Sequence, residues 1–142
     1  MAETKSYWSD SVSINESMEM YLETIYVLEN IHGHAHVVDI AERLGVSKPS
    51  VTKAANYLSD QGYVTKEKYG TITLTDRGRD VSREIYANHQ MIALFLEHSL
   101  RLSPEEASQN ACRMEHFASE EMLAAIKRYL KEHNLECRYL PL

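Results

Sequence analysis

Val37-Val38-Asp39-Ile40-Ala41-Glu42-Arg43-Leu44-Gly45-Val46-Ser47-Lys48-Pro49-Ser50-Val51-Thr52-Lys53-Ala54-Ala55-Asn56-Tyr57-Leu58 is the stretch that decides how this chain folds. A short helical pattern runs to Leu44 and stops at Gly45, a residue type that commonly ends helices. Ser47 offers a side-chain oxygen to cap a second helix. Pro49 falls in its first turn, where a missing N–H costs nothing. Two short helices joined by a tight, Gly-containing turn predict a helix-turn-helix.

Toward the C-terminus, Gly62 ends the second helix. Residues 63–68 and 71–75 are rich in β-branched and aromatic side chains, and Tyr69-Gly70 between them predicts a hairpin. A helix-turn-helix followed by a hairpin is a winged helix. Asp76-Arg77-Gly78 leads into a long helical pattern over about residues 78–98. Ser103-Pro104-Glu105-Glu106 predicts a further helix, with Ser103 as cap, Pro104 at the first position and Glu106 completing a capping box. A last helix over about residues 119–133 follows Ser119. Toward the N-terminus, Met18, Tyr21, Leu22, Ile25, Tyr26 and Leu28 recur at helical spacing and predict a helix over about residues 16–31. Ser13, Asn15 and Ser17 are alternative caps, and Gly33 is the stop. Residues 1–14 read as a loose arm. The expected fold is mainly α, with a winged helix-turn-helix over residues 1–76 and a helical domain over residues 77–142.

The composition, 44% hydrophobic and 25% charged over 142 residues, is that of a globular protein of one ordinary or two small domains. No apolar run is long enough to span a bilayer, and residues 1–10 lack the basic start and apolar stretch of a signal peptide. The expectation is a cytoplasmic protein with no membrane association. Cys112 and Cys137 make no disulfide framework, and Cys137 reads as a free thiol. A net charge of −6 argues against nucleic-acid binding by bulk attraction. The middle third differs: residues 37–86 carry eight basic and seven acidic groups, against one and six over residues 1–36 and six and eight over residues 87–142.

A recognition helix presents its first turns to the major groove. On that logic Ser47, Lys48, Pro49, Ser50, Thr52 and Lys53 form the reading end. Val51, Ala54, Ala55 and Leu58 hold the helix to the body. Lys66 and Lys68 on the wing would reach flanking phosphates. A winged helix used only for protein contacts is the bland alternative; the small polar and Lys residues on the outward face favour DNA.

Chemistry of another kind stands in Ala111-Cys112-Arg113-Met114-Glu115-His116. Residues at i, i+3 and i+4 of a helix share a face, so Cys112, Glu115 and His116 are expected to converge as a transition-metal ligand set. The bland reading is a buried Cys beside an exposed Glu and a capping His. Met20 and Glu23 present one edge of the first helix, and His89 lies on the long helix. A lone Met is more often core than ligand. Glu19, Tyr21 and Leu22 read as solvent-facing or core. His32, His34 and His36 read as solvated, or as a weak adventitious metal site.

Residues 17–116 resemble the diphtheria toxin repressor family of metal-dependent bacterial repressors. The resemblance rests on Glu19-Met20-Tyr21-Leu22-Glu23-Thr24-Ile25-Tyr26, on Ile40-Ala41-Glu42-Arg43-Leu44 and on Ala111-Cys112-Arg113-Met114-Glu115-His116. It implies that the helical domain binds metal and dimerises, and that the chain is of the two-domain type. It also implies that Met20, Cys112, Glu115 and His116 match the ligands of the iron-responsive branch. Glu23 and His89 match ligand positions of the manganese-responsive branch. The iron branch's second site matches His89, but its other ligands fall on Ala93 and Ser108; a different second site built from Glu23, His89 and Glu115 stays open.

Soft sulfur donors disfavour Mn(II). Met20 and Cys112 therefore favour Fe(II), with Mn(II) as the alternative that Glu23 keeps open. Co(II), Ni(II) or Zn(II) can substitute in vitro by the Irving–Williams order. The expected function is a repressor in which a divalent metal links the first helix to the dimerisation domain. The expected partners are a second copy of the chain and near-palindromic double-stranded operator DNA. Three rivals stand beside it. One is a metal-independent winged-helix regulator, one a metal buffer. The third is an enzyme with Cys112 as nucleophile and His116 as base, which lacks an evident oxyanion hole or pocket.

Overall fold

The structure is a computed structural model that describes residues 16–136. The arm at residues 1–14, the caps Ser13 and Asn15, and Cys137 lie outside the described residues. Helix α1 (Glu16–His32) is followed by β1 (Ala35–His36), α2 (Val37–Leu44), α3 (Lys48–Asp60), β2 (Val64–Lys66), a 3-10 turn at Lys68–Gly70, β3 (Thr71–Leu74), α4 (Asp76–Leu100), α5 (Pro104–Met114) and α6 (Glu120–Glu132). The order is that of a winged helix-turn-helix continued by a helical domain. No helix among the described residues is long and apolar enough to cross a membrane.

Side-chain oxygens start four helices by accepting otherwise orphaned backbone N–H groups. Ser47 accepts from Ser50 at 3.2 Å and Thr75 from Gly78 at 3.1 Å. Ser103 accepts from Glu106 at 3.2 Å and Ser119 from Met122 at 3.1 Å. The reciprocal half of the predicted capping box is replaced: Glu106 Oε2 accepts from the Asn110 side chain at 3.0 Å. Gly45 ends α2 at φ 69°, a left-handed conformation that glycine adopts without a Cβ penalty.

The sheet has three antiparallel strands in the order β1-β3-β2, where the sequence predicts a two-stranded hairpin. The extra strand pairs Ala35 with Ile72 and His36 with Thr71. The His36 ring also bonds the Thr71 hydroxyl at 3.2 Å. Two residues inside a His- and Gly-rich stretch show no period-2 pattern, which is why the sequence hides them. The hairpin strands are shorter than predicted because Lys68–Gly70 turns at the wing tip.

Two apolar cores share α4. Leu22, Ile25, Ile40, Val51, Leu58 and Ile72 fill the first, and Ile92, Leu96, Ala107, Ala111, Ile126 and Leu130 the second. At 1.5 Å per residue, the 25 residues of α4 run about 37 Å and enter both. Polar bonds fix α1 to the shared helix. The Ser82 hydroxyl, fully buried, donates to the Leu22 carbonyl at 3.2 Å. Glu29 pairs with Arg79 at 3.0 Å and accepts from the Leu74 N–H at 2.8 Å.

Gly78 sits in the first turn of α4 against the wing. A Cβ built there would lie 2.0 Å from the Tyr63 carbonyl oxygen and 3.2 Å from a Leu74 methyl. Alanine normally favours a helix over glycine by about 1 kcal/mol. Here the clash with backbone reverses the sign, and Gly78→Ala is expected to lose about 1–3 kcal/mol, the usual cost of overpacking. Chemical denaturation checks this; an unchanged or raised stability would contradict the packing of α4 on the wing.

Candidate metal centre

A cleft of about 780 Å³ is lined by α1, α4, α5 and the end of α2 at Arg43 and Leu44, with Glu23, His89 and Cys112 in its walls. One ligand atom each from Glu23, His89 and Glu115 lie within 4.8 Å of one another. Helical spacing carries Glu23 to the inner edge of α1, since Leu22 and Tyr26 bury the adjoining face. His89 sits midway along α4, its ring parallel to that of Tyr86 with centroids 6.4 Å apart. Its Nε2 bonds the Ser108 hydroxyl at 3.2 Å, which turns Nδ1 inward.

Helix α5 runs to Met114. Glu115 is the C-terminal cap, and His116 follows in a turn. Glu115 keeps helical dihedrals, φ −61° and ψ −27°, with its N–H bonded to the Ala111 carbonyl; Glu115 and His116 are buried, while Cys112 is exposed and lines the cleft. The Glu115 carboxylate, with no exposed surface, lies between two imidazoles. Its Oε2 is 3.1 Å from His89 Nδ1 and its Oε1 is 3.3 Å from His116 Nε2. None of these four atoms has a hydrogen bond. They are the buried polar side-chain atoms without a partner among the described residues. Buried polar atoms are ordinarily satisfied, so a cluster of orphans calls for a missing ion or water. Carboxylate oxygens and imidazole nitrogens aimed at one another fit a divalent cation.

The electrostatics agree. Burial first, and then the neighbouring Glu115 carboxyl, push Glu23 up to about 8. Burial also pushes Glu115 up to about 8, with the charge of Glu19 adding to it against a downward pull from Glu23. Burial lowers His89. Two carboxyls crowded together cannot both ionise without a compensating cation. Desolvation, followed by the charges of Glu115 and Glu23, pushes the Cys112 thiol up. An activated nucleophile needs the opposite shift.

The remaining predicted residues fall as follows. Met20 is 38% exposed on α1. Glu19, read from sequence as solvent-facing or core, instead holds His116 Nδ1 at 2.8 Å. On α3, Lys48, Pro49, Ser50, Thr52 and Lys53 are exposed, whereas Val51, Ala54, Ala55 and Leu58 are buried. Ser47 is exposed and engaged as the cap. Lys66 donates to the Asn56 side chain on α3, and Lys68 is exposed at the wing tip. His34 and His36 stack edge to face with centroids 4.5 Å apart.

A reading helix on a winged scaffold, joined to a buried carboxylate–imidazole cluster, defines a DNA-binding protein that takes a divalent metal. Comparison with known proteins agrees. Residues 13–72 match the family model described as iron dependent repressor, N-terminal DNA binding domain. Residues 75–138 match the one described as iron dependent repressor, metal binding and dimerisation domain. The chain belongs to this family, the metal-dependent two-domain transcriptional repressors of the diphtheria toxin repressor type, whose members are DNA-binding regulators and not enzymes.

Among relatives, it is 33% identical over 120 residues to an uncharacterized HTH-type transcriptional regulator of Methanocaldococcus jannaschii, covering 84% of this chain and 96% of that one. It is 36% identical over 118 residues to the transcriptional regulator MntR of Escherichia coli O6:H1, covering 83% of this chain and 76% of that one. Among solved structures, the manganese regulator SloR superposes with a TM-score of 0.70 at 28% identity over 84% of this chain. This chain spans 55% of the length of that SloR chain.

Both carboxyls bind a proton more tightly in the folded chain than at their ordinary value of 4.5. Without metal, the folded state therefore holds more protons than the unfolded state between that value and about 8, and stability falls as pH rises through the window. The lowered His89 has the opposite sign, but its effect is complete by about its ordinary value of 6.5. The metal-free protein is thus expected to lose thermal stability between about pH 6.5 and 8, and a bound divalent cation to flatten that loss. Calorimetry across this range checks it; a midpoint that rises with pH without metal would contradict the buried carboxyl pair.

Proposed function

We propose that this chain is a manganese-responsive, dimeric repressor, with Glu23, His89 and Glu115 at the core of its metal centre. The observation that carries the reading is the convergence of two carboxylates and an imidazole within 4.8 Å, while both sulfur side chains, Met20 and Cys112, are exposed. Oxygen and nitrogen donors suit Mn(II) better than thiolate does. Similarity to the manganese regulator SloR adds to it. The raised thiol makes Cys112 a costly ligand, because a thiol must lose its proton to bind. Fe(II), favoured on the sulfur residues alone, becomes the second reading; what supports it is that Cys112 lines the same cleft as Glu23 and His89. Co(II), Ni(II) and Zn(II) are expected to substitute in vitro.

In this reading residues 1–76 form the DNA-binding unit and residues 77–142 the metal-binding and dimerisation unit. The start of α4 at Asp76 and the division of the family models between residues 72 and 75 support the boundary. A bound cation supplies positive charge that lets both buried carboxylates ionise together. Glu23 then ties α1, and with it the reading domain, to α4 and α5. Two copies related by symmetry hold two α3 helices at a fixed spacing, which suits a near-palindromic operator. The metal shifts the population toward that spacing, and operator DNA must tighten metal binding by the same factor. Met20 and Cys112 border the centre, and His116 completes it beside Glu115. Ser47, Lys48, Pro49, Ser50, Thr52, Lys53 and Lys68 provide the DNA contacts. Lys66, engaged with Asn56, supports the wing against α3 and faces the flanking backbone.

Anaerobic fluorescence anisotropy tests the metal at constant salt, on a near-palindromic duplex selected in vitro against the metal-loaded protein. Mn(II) is expected to activate at lower free concentration than Fe(II). Glu23→Gln is expected to raise the Mn(II) requirement by about tenfold or more, as large as changes to supporting residues alone produce. Cys112→Ser should leave it within about threefold, below that range. Activation by Fe(II) first, together with its loss in Cys112→Ser, would transfer the function to the iron reading.

The DNA contacts have their own test. Lys53→Ala is expected to weaken binding to all duplexes alike and to reduce the slope of log affinity against log salt by about 1. An unchanged slope would remove Lys53 from the phosphate contacts.

A further inference from the structure

Glu19 accounts for a feature of the centre that its ligands alone do not. His116 is almost fully enclosed, its side chain 3% exposed, and its two ring nitrogens face different groups. Nδ1 lies 2.8 Å from Glu19 Oε1, and Nε2 points at Glu115 Oε1 from 3.3 Å without a hydrogen bond. In a neutral imidazole only one nitrogen carries hydrogen, and the bond made at one fixes the lone pair at the other. Glu19 and His116 stand 97 residues apart in sequence, on α1 and just beyond α5. This contact therefore joins α1 to the segment that follows α5.

We propose that Glu19 is the positioning residue of the metal centre. Its carboxylate accepts the Nδ1–H of His116, fixes the tautomer whose Nε2 lone pair faces Glu115, and pins α1 beside the end of α5. Glu19 does not ligate the cation that Nε2 faces, because the opposite nitrogen of the same ring holds it. Carboxylates that orient metal-binding histidines in this way raise ligand basicity and limit ring rotation. The inference rests on the proposed metal centre, and its consequence is specific. Glu19 and Glu23 lie one helical turn apart on α1, so one segment supplies both a ligand and the anchor that preorganises another.

The test compares wild type, Glu19→Gln and Glu19→Ala by two readouts. Imidazole ¹⁵N shifts of the metal-free proteins report the tautomer. Wild-type His116 is expected to carry its proton on Nδ1, Glu19→Gln to keep it there through the amide oxygen, and Glu19→Ala to lose the preference. Mn(II) affinity, followed by the electron paramagnetic resonance of the free ion, is expected to fall about 10–100-fold in Glu19→Ala and to be largely restored in Glu19→Gln. A wild-type proton on Nε2, or wild-type affinity in Glu19→Ala, would overturn the proposal. Equal, severe losses in both variants would make Glu19 a ligand and also overturn it. Failure of the wild type to bind Mn(II) would count against the proposed cation and not against Glu19; the tautomers and the same variants titrated with Fe(II) then decide. Where Glu19→Ala does not fold, the wild-type and Glu19→Gln tautomers decide.

Discussion

The Glu115 carboxylate, enclosed between the imidazoles of His89 and His116, is the constraint around which the centre is arranged. Removing an ionised carboxylate from water costs several kcal/mol unless it is paired and hydrogen-bonded. Here it has two nitrogens within reach and bonds to neither. Without metal it meets that cost by holding its proton, as the upward shifts of Glu115 and Glu23 express. In the proposed centre a cation would remove the cost by another route, drawing on side chains from α1, α4 and the end of α5. Metal affinity, pH response and the contact between the two parts of the chain are therefore one electrostatic problem.

Much of the fold is legible in the sequence because it follows local rules. The division of α3 into a buried edge of Val51, Ala54, Ala55 and Leu58 and an exposed edge of Lys48, Ser50, Thr52 and Lys53 is a period any helix must show. Gly45, Ser47 and Ser103 mark helix ends through backbone freedom or capping, which are properties of single residues. The candidate metal centre is less legible because it depends on how separate helices pack together. Residue spacing brings Cys112, Glu115 and His116 to attention, but the atoms that converge on Glu115 come from Glu23 and His89 on two other helices. Glu19 is hidden for a different reason. Nothing within α1 indicates that its partner lies 97 residues away, although its i, i+4 spacing from Glu23 is the available clue. β1 is hidden because it exists only through pairing with β3.

The choice of metal turns on the same geometry. A sequence containing Met and Cys at ligand-like positions argues for a soft site when residue types alone are counted. Position changes the weight of each. Cys112 borders the cleft with its thiol pushed up by burial and by the two carboxylates, while the converging atoms are oxygen and nitrogen. Donor softness discriminates among metals through the ligands that reach the ion, so sulfur outside the converging set counts for less than the oxygen and nitrogen within it.

In the proposed mechanism α1 carries metal binding to DNA, because its residues line both the metal cleft and a pocket shared with α3. Met18 and Tyr21 line a pocket with Ser50, Lys53 and Tyr57 of α3, at the reading end. Glu19 meets His116, and Glu23 enters the cleft against His89 and Glu115. Between them Leu22, fully buried, offers its carbonyl to Ser82 of α4. A helix packed this closely does not deform gradually, since interiors are as dense as organic crystals. In the proposed mechanism a cation held by Glu23 would act within one helical turn of Tyr21 and the pocket it shares with α3. On that proposal metal binding needs no long relay to the reading helix, because the proposed ligand and the residues lining the pocket beside α3 share one helix.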